Sequence, residues 1–432
     1  MREARVWRVL MGLENTVVED VVFDEDAEVL VVHVRPTASR RGRCGTCRRR
    51  SPGYDAGAGR RRWRALDLGT VQAFVEADAP RVRCREHGVT VAAVPWARHD
   101  AGHTHAFDDT VAWLATVTSK TATTRLMRVA WRTVGSIITR VWADTGGATD
   151  RLAGVTRIGV DEISYRRGMA YLTVVVDHDT SRLLWAAEGR DRATLRRFFD
   201  VLGEARSAAI THVSADGADW IARVITERCP NAVLCADPFH VVRWATDALD
   251  AVRRQAWNTA RAAAKTEPKR SRGRQPADAP AMPATARAHG LKGARYALWK
   301  NPENLTDRQQ VKLAWIAKTD PRMYRAYLLK EGLRVVFQLP YDQAVEALDR
   351  WLAWARRCRI EPFVKLARSI TKHRPSILAA IEHGLSNGLI ESVNTKIRLI
   401  TRIAFGFRSI PALIALMMLS LGGHRPALPG RN

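Results

Sequence analysis

The chain has 432 residues, too many for one compact core, and divides into roughly two to four domains. An apolar content of 46% with 14 Trp excludes a disordered polymer, and the lack of any run of about 18 apolar residues argues against a membrane span. Lysine plus arginine number 69 against 44 acids, and the resulting net charge of +25 calls for a polyanionic partner, nucleic acid ahead of an acidic membrane surface.

The N-terminal stretch "MREARVWRVLMGLENTVVEDV" is charged throughout and does not read as a signal peptide, so the expected compartment is the cytoplasm, at the nucleoid. Residues 1–40 offer one strand, "AEVLVVHVRP", before the basic run "RRGRCGTCRRR". A second strand, "TVQAFVEADAPRVRC", leads to Cys84. Three of the six cysteines cluster early, and the other three show no framework spacing, which favours a metal over disulfides. "CGTC" supplies Cys44 and Cys47, and "CREH" supplies Cys84 and His87. Each pair sets two soft donors on one tight turn, as tetrahedral Zn²⁺ requires, so the four predict a zinc ribbon. His99, His103 and His105 are alternative fourth ligands, and the plain alternative makes Cys84 a small buried residue and His87 a surface one. The arginines among residues 40–50 and 60–64 would surround the knuckle with phosphate-binding charge, or simply form a solvated basic face.

Three short helices follow over residues 104–145. "TATTRLMRVAWRTVGSIITRVW" fits a helix-turn-helix with its turn near Arg128. Val134, Ile137, Ile138 and Val141 line one side of its second helix. Arg132, Thr133, Ser136 and Arg140 line the other, where they would reach a major groove.

From residue 155 to 240 the texture changes to five strands with one helix among them, which predicts a mixed sheet. "RIGVDEIS" sets Asp161 at the end of an apolar strand with Glu162 beside it, and "ITHVSADGAD" sets Asp216 at the end of another. Asp177 and Asp179 head a tight hairpin. "CADPFHVVRW" adds Asp237 and His240, which either support the site or cap the next helix. Beyond 240 the chain is helical and basic, interrupted by a flexible loop or linker over 265–290. In "SNGLIESVNTKIRLITRIAFGFRS", Glu391, Asn394, Arg398 and Arg402 share one helix side, with Val393, Ile397 and Ile400 on the other. Asp161 and Asp216 on neighbouring strands, joined by Glu391, would make an oxygen-ligand site for Mg²⁺ or Mn²⁺, with Asn394 in support. Two such ions clamp the attacking and leaving oxygens of a phosphodiester. Arg398 and Arg402 would then hold the DNA backbone. Taken singly, Asp161 and Asp216 also read as ordinary turn openers, and Glu391 as a complement to its helix N-terminus.

These segments, in this order, resemble the ISL-three group of bacterial insertion-sequence transposases. The resemblance is carried by the cysteine knuckle, "VPWARHDAGHTHAFDDTVAWLA", the helix-turn-helix, "GVDEISYRRGMAYLTVVVD", "SADGADWIARVI", "CADPFHVVRWATDALD" and "SNGLIESVNTKIRLITRIAFGF". It implies an α/β RNase H-like catalytic domain whose acid triad falls on Asp161, Asp216 and Glu391, with a helical insertion at about 241–380. His87 departs from the pattern by standing where a cysteine is expected. The expected organisation is a zinc-binding ribbon over 1–100, a helix-turn-helix over 104–145 and the RNase H-like domain over 153–425. The implied activity is cleavage of double-stranded DNA at the element's terminal inverted repeats and joining of the freed 3′-hydroxyl to target DNA, with at least a dimer to pair two ends. The alternatives are a catalytically inactive, transposase-derived DNA-binding regulator, and a nuclease that cuts without joining.

Overall fold

The computed structural model describes residues 2–148, 150–166, 168–266, 284–385, 388–404 and 406–431. Most of the expected loop at 265–290, and Ser386, Asn387 and Phe405 of the last motif, lie outside them. The chain forms two compact units, residues 1–153 with 182–186 and 395–432, and residues 154–181 with 187–394.

The first unit opens with helix α1 (Arg2–Leu10), followed by strands β1 (Thr16–Asp24), β2 (Val29–Pro36), β3 (Gly53–Asp55), β4 (Arg60–Arg64), β5 (Gln72–Asp78), β6 (Arg81–Cys84) and β7 (Gly88–Val91). They make two sheets, β1-β2-β5-β4 and β3-β6-β7. Residues 1–40 therefore hold a helix and two strands rather than one strand. β5 alternates strictly, burying Ala73, Val75 and Ala77 against Trp63 and Trp96, whose rings meet edge to face at 5.6 Å. The single strand expected over 70–84 is broken at Ala79–Pro80. Proline has no N–H for a ladder, so β5 ends in one sheet and β6 begins in the other.

Helices α2 (His105–Val117), α3 (Lys120–Met127) and α4 (Trp131–Ala148) come next. Ser119 caps α3 by accepting from Ala122 N at 3.1 Å, and Arg128 ends it in the left-handed region at φ 52°. That leaves a tight turn before α4, as the helix-turn-helix reading expects. Val134, Ile137, Ile138 and Val141 are fully buried, packed with Phe107 and Val111 of α2 and with Ala415, Leu416 and Leu419 from near the C-terminus. The loop before α2 is pinned by Arg98, which binds Asp109 at 2.7 Å and Asp144 of α4 at 2.6 Å.

The second unit is built on β8 (Arg157–Arg166), β9 (Ala170–Asp177), β10 (Leu183–Glu188, of which Ala187 and Glu188 belong here), α5 (Arg192–Leu202), α6 (Glu204–Ala208), β11 (His212–Ala215), α7 (Asp219–Arg228), β12 (Val233–Ala236) and α8 (Pro238–Thr266). The strand order is β10-β9-β8-β11-β12. β8 runs antiparallel to β9 and parallel to β11, which is parallel to β12. This is the RNase H-like mixed sheet. Asp177 and Asp179 occupy the β9–β10 turn, where Asp177 accepts from Asp179 N at 3.0 Å.

Helices α9 (Ala284–Lys292), α10 (Arg295–Trp299), α11 (Asp307–Thr319), α12 (Pro321–Val336), α13 (Tyr341–Arg357) and α14 (Glu361–Glu382) then form one core with α8, centred on residues such as Leu249, Leu329, Leu348, Phe363 and Ile370. The chain ends with α15 (Gly388–Ile403) and α16 (Ile410–Leu421). Among the described residues, no helix is long and apolar enough to cross a membrane.

Candidate functional site

The register of the second unit's sheet decides where its acids stand. Val160 pairs with Ala215, and Ala215 with Ala236, as the last rungs of the two parallel ladders. Asp161, Asp216 and Asp237 each follow one residue later, level along the same edge. Asp161 is not at the end of its strand as expected. β8 continues to Arg166 against β9, and only its parallel neighbour stops, which frees Asp161 on that side.

Asp161 accepts from Glu162 N at 2.7 Å and from Asn394 Nδ2 of α15 at 2.6 Å. Burial pushes its carboxyl above the usual range; the Asp216 charge adds to this, and the nearby His240 and both hydrogen bonds oppose it. Gly159 lies two residues earlier on the same face of β8. A Cβ there would stand 2.3 Å from Ile390 Cδ1, so only glycine lets α15 come this close. Ile390 over Gly159 and Asn394 at Asp161 lay the first turns of α15 along β8. Glu391, three residues before Asn394, rides on that turn and is exposed. Asp216 accepts from Ala218 N at 3.1 Å, and Trp244 of α8 presses on the turn so that a Cβ at Gly217 would be 2.5 Å from its Cζ2. Among the described residues, the carboxylates of Asp161, Asp216 and Glu391 do not close to within 4.8 Å of one another.

Asp237 is buried and accepts from Phe239 N at 3.2 Å and His240 N at 3.3 Å, so it caps α8. It also takes His240 Nδ1 at 2.5 Å. The Asp237 hydrogen bond raises the pKa of His240; burial opposes this, and the Asp161 and Asp216 charges reinforce it. The dyad thus caps the helix and also holds the His240 ring where the charges of both aspartates act on it. Sequence reading left Glu162 out of the site and missed Arg190. Glu162 is paired with Arg190 and pushed up to about 7, chiefly by burial, with Arg190 opposing and Asp216 and Asp161 adding. The acid doublet "DE" on a strand was the available signal. Oxygen donors alone, with the buried Glu162 Oε1 and Asn394 Oδ1 lacking hydrogen-bond partners, suit a hard divalent cation.

The cysteine knuckle closes tightly. Cys44 Sγ lies 3.8 Å from His87 Nδ1, Cys47 Sγ 3.7 Å from Cys84 Sγ, and Cys84 Sγ 3.6 Å from His87 Nδ1. Zinc–sulfur bonds of ~2.3 Å and zinc–nitrogen bonds of ~2.0 Å in a tetrahedron require donor separations of about 3.5–3.8 Å, so the set fits Zn²⁺. The His87 ring holds the Cys84 thiol down at about 6. Among the described residues, none of the alternative histidines joins the four clustered donors. His103 stacks on Phe107 at 4.9 Å, burial pushes His105 down, and His99 sits against the Gly45 turn, where a Cβ would be 2.4 Å from its Nδ1. Much of the arginine charge is also spent internally: Arg62 binds Glu76 at 2.5 Å and Arg61 donates to Ala101 O at 2.7 Å.

On α4, Arg132 and Ser136 are exposed and Thr133 is half-buried. Arg140 points the other way, giving Nε at 2.9 Å and Nη2 at 3.1 Å to the wholly buried Asp108 of α2. It is a structural partner rather than a free hand for a groove. Arg398 and Arg402 are exposed on α15, while Val393 and Ile397 are buried.

Three family models match in chain order: the zinc-finger of transposase IS204/IS1001/IS1096/IS1165 over residues 40–87, the helix-turn-helix domain of transposase family ISL3 over 92–142, and an ISL3 transposase model over 158–417. The chain is 64% identical over its full length, and 98% of theirs, to the transposase for insertion sequence element IS1557 of two Mycobacterium tuberculosis strains. It is 25% identical to the transposase for insertion sequence element IS1001 of Bordetella parapertussis, over 94% of this chain and 96% of that one. By these matches the chain belongs to the ISL3 family of insertion-sequence transposases.

Proposed function

We propose that this transposase binds the terminal inverted repeats of its own insertion sequence, cleaves a DNA strand there, and joins the freed 3′-hydroxyl to a target phosphodiester. Divalent Mg²⁺ or Mn²⁺, held by Asp161, Asp216 and Glu391, would supply Lewis-acid stabilisation of the phosphodiester and activation of water and hydroxyl in turn. Asp161 and Asp216 each stand one residue past the last rung between the parallel strands β8 and β11, and the Asn394 amide holds Asp161 by a hydrogen bond. His240, anchored by Asp237, stands within electrostatic reach of both acids. Exposed Arg398 and Arg402 take backbone phosphates, while Arg132, Thr133 and Ser136 face base edges in the major groove. The three cysteines and His87 hold Zn²⁺ and shape the N-terminal module. Two ends and one target call for at least two copies on DNA.

The observation that carries this reading is the Asn394–Asp161 hydrogen bond, which spans 233 residues and brings the turn bearing Glu391 to the strand bearing Asp161. Duplex carrying the element's end sequence, incubated with the protein and Mg²⁺ or Mn²⁺, tests it. Glu391→Gln should abolish cutting and leave end binding nearly intact, and retained cleavage would refute the assignment. Cutting without strand-transfer joints would assign a nuclease instead, and end binding with no cutting by the unsubstituted protein would assign the regulator.

A further inference from the structure

We infer that Asn394 is itself a ligand: its Oδ1 completes the coordination of the divalent cation held at Asp161 and Asp216, while its Nδ2 locks Asp161 in place. This rests on the acid-site reading above and extends it to a neutral residue outside the triad. The side chain does two different things with its two ends. Nδ2 donates to Asp161 Oδ2 at 2.6 Å, whereas Oδ1 is buried with no hydrogen-bond partner, in a residue only 3% exposed. With Asp161 ionised, as a cation ligand is, only the NH₂ end can face it, so the amide orientation is fixed by chemistry. Folded interiors rarely leave a buried acceptor unsatisfied, so such an atom calls for an occupant.

The location narrows what that occupant is. Oδ1 sits on the amide carbon that also carries Nδ2, so it lies within one side-chain width of the Asp161 carboxylate. Asn is poorly suited to a helix interior, and its place on α15 one turn after Glu391 has no local helical use. A carboxamide oxygen is an ordinary ligand for hard divalent ions. Being neutral, it adds a donor without adding charge to a cluster where Asp161 and Asp216 already repel. Water at this position would satisfy the acceptor equally well, and the two occupants differ in what a metal titration reads.

The test is titration of the full-length protein with MnCl₂, followed by calorimetry and the electron paramagnetic resonance signal of free Mn²⁺, alongside thermal melting without metal. Asn394→Ala should weaken Mn²⁺ binding about tenfold or more, as losing a ligand or its immediate support does. Asn394→Asp, nearly the same size, should keep or tighten Mn²⁺ binding while melting lower without metal, because two carboxylates then face each other. Asn394→Ala that folds and binds Mn²⁺ with unchanged Kd would overturn the inference. If the Ala variant does not fold, a folded Asn394→Asp that loses Mn²⁺ affinity would overturn it. Asp161→Asn separates the two levels. Mn²⁺ binding that survives Asp161→Asn, or is lacking in the unsubstituted protein, removes the acid-site reading and the inference together. Binding lost in Asp161→Asn but kept in Asn394→Ala removes the inference alone.

Discussion

Gly159 is the position where one methyl group should separate folding from catalysis. An alanine Cβ would stand 2.3 Å from Ile390 Cδ1, 2.9 Å from Ile390 Cγ1 and 3.1 Å from His178 Nε2. Ordinary carbon contacts begin at ~3.5 Å. Cδ1 can swing aside by a rotamer change, but Cγ1 is fixed closer to the helix, so α15 must withdraw by about 0.6 Å to restore contact distance. Overpacking of this kind costs roughly 1–3 kcal/mol, which in a unit of this size lowers the melting temperature by about 2–4 °C per kcal/mol. The same shift carries Glu391 and Asn394 away from Asp161, and a displacement of ~1 Å is enough for a loss of ~10²-fold in rate. Gly159→Ala should therefore reduce the single-turnover rate of end cleavage by about tenfold while leaving end binding unchanged. Ile390→Ala in the same chain removes both offending atoms and should recover part of the rate, giving a coupling of about 1 kcal/mol or more in the double-mutant cycle. Wild-type cleavage by Gly159→Ala, or a double variant no better than the single, would refute the close approach of α15 to β8 as the device that sets the site.

Arg140→Ala strips a bidentate partner from the wholly buried Asp108 and should cost about 2–4 kcal/mol of stability by melting. Arg132→Ala should leave melting alone and weaken binding to end DNA; equal melting of the two variants would reverse that division. Metal release from the knuckle, followed with a colorimetric zinc chelator, should increase as pH falls below neutrality, because protons then compete with the ion for the three thiolates and His87. Release already complete at pH 7.5 would contradict this. Glu162 has its folded pKa raised from 4.5 to about 7, so the folded state holds the extra proton and loses stability as pH rises across that window. Glu162→Gln should accordingly gain on the wild type by up to about 3 kcal/mol at pH 8 and show little difference near pH 4.5. A pH-independent difference would show that Arg190 alone governs it.

What was legible locally came through. The strands β8 to β12 are apolar runs cut by turn residues, and Asp161 and Asp216 were visible because each interrupts such a run. The helix-turn-helix showed in the spacing of Val134, Ile137, Ile138 and Val141, all of which are buried. What was hidden depends on partners distant in the chain. β1 is laced with Glu19 and Asp20 and bulges between Val18 and Asp20, so it carries no clean alternation. The inward turn of Arg140 is set by Asp108 on another helix. The approach of Ile390 and Asn394 to Gly159 and Asp161 leaves no periodic trace, because it joins segments more than two hundred residues apart.

The knuckle draws its four donors from two turns, Cys44 with Cys47 and Cys84 with His87, and the chain between them passes through β3, β4, β5 and β6. A bound metal therefore closes a loop of about forty residues, a cross-link whose chain-entropy value is about 4 kcal/mol by the relation that applies to disulfides. Two of the strands inside that loop belong to the larger N-terminal sheet, so the ion acts as a fastener for both sheets at once, and the tolerance of this module to heat should rise and fall with metal supply.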